Sequence, residues 1–149
     1  MIGFNNTAKK QLNTLKTVSG VIDGNTSNWV VNNQTGKWQL FNKDGFKATN
    51  GFYQMNNVTQ VGNFQKQTAD TYYFDYLGQM VTGWIQTADN KWYYFETAKT
   101  ANEGKMITGW KQIDGDYYYF NYDGSMVVNG WTPDGRRVGA DGKLIKLNM

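Results

Sequence analysis

Residues 83–95 read GWIQTADNKWYYF, and residues 109–120 read GWKQIDGDYYYF. Each stretch opens on Gly-Trp, passes through a polar turn and ends on a run of four aromatic residues. Tyr, Phe and Trp favour strands, because their flat side chains fit a pleated, half-buried surface. A short turn such as Asp114-Gly115-Asp116 or Ala88-Asp89-Asn90-Lys91 between two such runs reads as a β-hairpin. A second glycine turn and a methionine follow each hairpin. Gly104-Lys105-Met106-Ile107-Thr108 leads into Gly109-Trp110, and Gly124-Ser125-Met126-Val127-Val128-Asn129 leads into Gly130-Trp131. Trp84, Trp110 and Trp131 therefore recur at similar intervals, one to a repeat.

The same grammar extends outward. Upstream, Gly62-Asn63-Phe64-Gln65 leads to Tyr72-Tyr73-Phe74, then to Gly78-Gln79-Met80-Val81-Thr82 and Trp84, with Phe64 in the opening Trp position. Further back, Trp29, Trp38, Leu40-Phe41 and Asp44-Gly45-Phe46 form a weaker copy that closes at Asn50-Gly51-Phe52. Downstream, Thr132 to Val138 has no aromatic run and reads as a terminal cap with a polar outer face. An isolated two-stranded hairpin is marginal in water, and stacking on a neighbour stabilises it. The predicted fold is therefore all-β, a solenoid of stacked β-hairpin repeats over residues 27–149, with residues 1–26 as a lead-in. Leu12, Leu15 and Val18 sit at i, i+3 and i+6, which allows a short N-terminal helix over residues 8–18 or an irregular entry.

Composition agrees with a string of small cores. The 149 residues include 6 Trp, 10 Tyr and 8 Phe, while aliphatic residues are sparse. There is no Cys and no His, so disulfide frameworks, thiolate chemistry, Ser-His-Asp triads and zinc-type sites are excluded. The formal net charge is only +3, and the longest basic clusters are Lys9-Lys10 and Arg136-Arg137, so no nucleic-acid partner is expected. No apolar run approaches the ~18 residues of a membrane span. Residues 1–20 lack the apolar stretch of a secretory signal, which predicts a fragment of a secreted protein or export without such a signal. The acidic residues fall mostly in turns; Asp114, Asp116 and Asp123 do not have the order of an EF-hand loop. No pair of acids suggests glycoside hydrolysis. No catalysis, metal or cofactor is expected.

The string Gly-Trp, hairpin turn, Trp-Tyr-Tyr-Phe, Gly-x-Met-x-Thr-Gly-Trp resembles the cell-wall-binding repeat of choline-binding proteins. Related repeats occur in glucan-binding domains of glucosyltransferases and in clostridial toxins. The resemblance is strong over residues 62–131 and weaker on either side. It implies a ligand box at each junction of consecutive hairpins, where aromatic rings and a methionine enclose a trimethylammonium group. Such a cation cannot donate hydrogen bonds, so cation–π contact and apolar enclosure must hold it.

Carried onto this chain, the resemblance implies one box from Trp84, Trp92, Met106 and a ring of the Tyr117 to Tyr119 run. A second would use Trp110, Tyr117, Met126 and Trp131. The copy with Phe64 and Thr71 in the Trp positions is expected to be degraded. Strand alternation puts Trp92 and Tyr94 on one face and Tyr93 and Phe95 on the other. Phe95 and Phe120, which have no polar tip, are the expected core rings, with Trp92 and Tyr117 more open. The implied function is a non-catalytic, extracellular, cell-surface module that binds choline on teichoic or lipoteichoic acid, with a homodimer as one expected assembly. Two alternatives remain: a glucan-binding repeat module, and a spacer that presents its repeats to a partner without a small ligand.

Overall fold

A computed structural model describes residues 20–146. The expected N-terminal helix lies outside these residues. The described chain is all-β and contains no helix, as the hairpin grammar predicts. It divides into two compact units: Met1–Thr82 with Thr97–Lys105, and Gly83–Glu96 with Met106–Met149.

In unit 1, β2 (Asn28–Val31) pairs antiparallel with β3 (Trp38–Phe41), with Trp29 opposite Leu40. β4 (Gly51–Val61) and β5 (Phe64–Phe74) form a hairpin of 11 residues a side, closed at Gly62-Asn63. β1 (Gly20–Asp23), inside the segment read as lead-in, runs parallel to β4, with Gly20 opposite Tyr53. Asn25 extends that edge by its side chain: it donates to Val58 O and accepts from Val58 N, each at 2.9 Å. β6 (Met80–Val81) returns antiparallel to the end of β5. The core holds Ile22, Leu40, Ala48, Tyr53, Met55, Tyr72, Phe74 and Met80, with Trp29, Trp38 and Phe46 packed on it.

In unit 2, β7 (Gly83–Gln86) pairs with β8 (Trp92–Phe95), and β9 (Gly109–Ile113) pairs with β10 (Asp116–Phe120). β11 (Gly130–Trp131) and β12 (Arg137–Val138) form the last, shortest hairpin. The turn at Asp114-Gly115 has φ of 51° and 89°, the left-handed pair that a two-residue hairpin requires. Phe95 and Phe120 are fully buried and Tyr117 is exposed, as expected from the two phenylalanines' lack of a polar tip, and Trp92 is half-buried.

Register corrects one repeat boundary. Gly51-Phe52 faces Phe74-Tyr73 just as Gly83-Trp84 faces Phe95-Tyr94 and Gly109-Trp110 faces Phe120-Tyr119. Phe52, not Phe64, therefore opens the second repeat. Phe64 sits at the tip of the long hairpin and is 78% exposed.

A second regularity links the repeats. The residue that ends each hairpin pairs across with the residue after the next glycine turn. The pairs are Phe41 with Lys47, Phe74 with Met80, Phe95 with Met106, Phe120 with Met126 and Val138 with Leu144. Each of Lys47, Met80, Met106 and Met126 then rests on the glycine of a later turn: Gly78, Gly104, Gly124 and Gly142 respectively. At Gly142, φ is 81° and an added Cβ would overlap Met126 Sδ, so the position needs glycine both for conformation and for space.

Candidate functional site: two aromatic boxes

Within unit 2, Trp84 is a hub of ring contacts. It meets Trp92 at 5.9 Å and 90°, Tyr94 at 5.1 Å, Tyr118 at 5.0 Å and Phe120 at 5.8 Å between centroids. β7 and β8 place both tryptophans on one face of their hairpin, because Trp84 opposes Tyr94 and Trp92 lies two positions from Tyr94 along β8. β10 of the following hairpin supplies Tyr118 and Phe120. Met126 packs against the same cluster, and its backbone N donates to Trp92 O at 2.8 Å. The result is a corner of two perpendicular indoles with a tyrosine and a methionine beside it.

This corrects the predicted grouping. Met126, not Met106, accompanies Trp84 and Trp92. Met106 pairs across from Phe95 and lies over Gly124. Met80 and Met126 each follow one hairpin in sequence but pack on the rings of the hairpin before it. Sequence proximity therefore put Met126 one junction too late. The ring drawn from the Tyr117 to Tyr119 run is Tyr118. Tyr117 is exposed, and its carbonyl accepts from Leu144 N at 2.8 Å.

The remaining predicted residues do not assemble a second box. Trp110 stacks edge-on with Tyr119 at 5.2 Å, and its Nε1 donates to Asp134 Oδ2 at 2.9 Å. Thr132, first, and then Trp110 hold the Asp134 carboxyl below its usual range through their hydrogen bonds. Trp131 is 66% exposed, and the guanidinium of Arg137 lies 5.7 Å from its ring centroid. The chain's own cation thus sits on the ring that was expected to receive a ligand.

A box that sequence reasoning missed lies within unit 1. Trp29 meets Trp38 at 6.3 Å and 88°, Tyr72 at 4.9 Å and Phe74 at 5.9 Å. Position by position these match the contacts of Trp84 with Trp92 at 5.9 Å, Tyr118 at 5.0 Å and Phe120 at 5.8 Å. Met80 takes the place of Met126. Trp29, Trp38, Tyr72 and Met80 line a cavity of about 340 Å³ together with Lys99, Thr100, Ala101 and Glu103. Burial, first, and the nearby Asp70 carboxylate, second, push the Tyr72 phenol up to about 12. The available signal was the pair Trp29 and Trp38, separated along the chain almost as Trp84 and Trp92 are. The long β4–β5 hairpin hid it, because that hairpin's first strand and tip intervene between Trp38 and Tyr72.

Repeated hairpins that carry perpendicular tryptophans closed by a tyrosine and a methionine define a class of aromatic-box binding repeats. Family models agree: two choline-binding repeat models match residues 61–108 and 108–144, together more than half of the chain. The chain belongs to the choline-binding repeat family. Glucosyltransferase-I of Streptococcus downei is 38% identical over 143 residues, covering 87% of this chain and 8% of that protein. Glucosyltransferase-S of Streptococcus mutans serotype c is 35% identical over 115 residues, or 74% of this chain and 7% of that protein. The chain thus spans less than a tenth of the length of these relatives. Among solved structures, choline binding protein F of Streptococcus pneumoniae is 32% identical, with a TM-score of 0.45 over 80% of this chain and 40% of that one. The endolysin of phage Cp-1 complexed with choline is 25% identical, with a TM-score of 0.48 over 70% and 25%.

Proposed function

We propose that this chain is a non-catalytic binding module that holds choline groups of a cell-wall polymer, such as teichoic or lipoteichoic acid, at the bacterial cell surface. The observation that carries the reading is the duplicated box: Trp29, Trp38, Tyr72 and Met80 in unit 1, and Trp84, Trp92, Tyr118 and Met126 in unit 2. A trimethylammonium group needs π faces and apolar walls, and these residues supply both. Each box is weak alone, and two on one chain bind a polymer with repeated cholines by avidity. The hairpin repeats occupy residues 27–149, and the lead-in of residues 1–26 contributes β1 to the unit 1 sheet and Ile22 to its core. Homodimerisation follows from the family resemblance and is tested by sedimentation of the chain with and without choline.

The test is a choline titration followed by the indole NH signals of the six tryptophans. Shifts of Trp29 and Trp38, and of Trp84 and Trp92, support the reading, and their loss in Trp38→Ala and Trp92→Ala assigns each box. A second reading is glucan binding, which the 38% identity to a glucosyltransferase favours. Dextran titrated in the same assay separates the two, since a cation box ignores a neutral glucan.

A further inference from the structure

We propose that the open outer edge of β5 is a homodimer surface, on which residues 65–71 of one copy pair antiparallel with residues 65–71 of a second copy about a two-fold axis at Thr68. The inference rests on the homodimer reading and gives it a surface that needs no choline. The other hairpins have strands of 2 to 5 residues, whereas β4 and β5 have 11 each. The two edges of this long ribbon differ. β1 covers β4 from Tyr53 to Asn56, and Asn25 prolongs the cover to Val58. Among the described residues, β6 covers β5 at Tyr73 and Phe74 alone, and Phe64 to Ala69 are all exposed. A strand edge with unpaired amides is a ready template for another strand.

The backbone decides which groups point outward. Val61 pairs with Phe64 across a two-residue turn, so Phe64, Lys66, Thr68 and Asp70 turn their amides to β4. Gln65, Gln67, Ala69 and Thr71 turn theirs to the open edge. Two copies therefore bond in registers that set these four residues opposite one another, and charge selects among such registers. An axis at Lys66 sets two lysines face to face. An axis at Thr68 sets Lys66 of each copy opposite Asp70 of the other, and Thr68 opposite itself. These fall at non-hydrogen-bonded pairs, where side chains come closest. Gln67 then bonds with Ala69, and Gln65 with Thr71. Lys66 has no ion-pair partner among the described residues. Asp70 meets Lys105 through Oδ2 at 3.5 Å, and its carboxylate has a second oxygen for another cation. The contact is self-complementary and closes at two copies.

The experiment is sedimentation of the full chain without choline, at low salt, from micromolar to millimolar concentration. A dimer that grows with concentration is expected. Amide exchange at Gln67 and Ala69 should slow as it fills, while Lys66 and Thr68, already bonded to β4, should not change. Gln67→Pro removes an outward donor and spares the β4–β5 ladder, since proline is tolerated on an edge strand. It should weaken the dimer at least about tenfold, with the indole signals of Trp29 and Trp38 in place. Lys66→Glu and Asp70→Lys should each weaken it by about tenfold, because like charges then face each other at both ends. A mixture of those two variants should dimerise as the parent does, each offering the charge the other lacks. A chain that stays monomeric without choline overturns the proposal. So does a dimer that Gln67→Pro leaves intact, or charge variants that keep the parent's indole signals yet fail to rescue each other. If choline alone brings a dimer, and Gln67→Pro retains it, the homodimer reading stands and this surface does not. If no dimer forms with or without choline, both fail.

Discussion

Trp84 and Trp92 share a box but carry different loads. Trp84 touches four rings and packs on the unit 2 core, so it holds the fold as well as the site. Trp84→Ala should cost about 3 kcal/mol of stability, the usual scale for deleting a packed aromatic. Trp92→Ala should cost less than half of that, by urea denaturation, and still abolish the choline response of Trp84. Glycine positions make a sharper pair. Gly142→Ala and Gly115→Ala both force a left-handed backbone, at about 1–2 kcal/mol each. Only Gly142 has Met126 in the way; Gly115 faces open space. Gly142→Ala should therefore weaken choline at unit 2, and Gly115→Ala should leave affinity alone. The tyrosines give a pH signature. The raised Tyr72 pKa, about 12 against 10.0 unfolded, means that the folded chain keeps a proton the unfolded chain loses. This stability is fully present below the unfolded value and disappears as pH rises through the folded one. Tyr53, Tyr93 and Tyr118 shift the same way, each chiefly through burial. Thermal melts should fall steeply once the pH passes the ordinary tyrosine value, and Tyr72→Phe should flatten that fall.

At the scale of elements, the hairpins were legible wherever strands are short and turns carry Asp-Gly or Asn-Lys. β7 to β10 form the two hairpins that Trp92 to Phe95 and Tyr117 to Phe120 mark, although both faces of β8 are covered, with Tyr93, Tyr94 and Phe95 all buried. The β4–β5 hairpin was not legible. Its outer half, with Asn56, Thr59, Gln60, Gln65, Lys66 and Gln67, is polar and exposed on both faces, so no apolar period marks its length. The repeat was therefore opened at Phe64 rather than Phe52. The methionine partners were misread for a topological reason, since a Met reaches back across one whole hairpin. The long hairpin's tip lies away from the box residues in sequence and makes no part of the unit 1 cavity lining. Replacing Thr59 through Lys66 with Asn-Gly should shorten it while keeping the Asn25 contacts to Val58. Choline affinity at Trp29 and Trp38 should stay within about twofold, inside the few tenths of a kcal/mol typical of surface changes.

For the whole molecule, the aromatic excess resolves into repeated small cores rather than one large one. Each box joins the rings of one hairpin to those of the next, so the fold that buries the aromatics also builds the ligand walls. Binding and stability are then linked: a ligand that occupies the folded boxes raises stability with its concentration. The central claim is that two boxes of like geometry, one in each unit, take a quaternary ammonium. Its most direct test is the indole NH spectrum of the full chain during a choline titration. The account predicts saturable shifts of Trp29, Trp38, Trp84 and Trp92, with Trp131 unmoved because Arg137 already covers its ring. Saturating choline that leaves those four signals in place, or moves only Trp131, would contradict it.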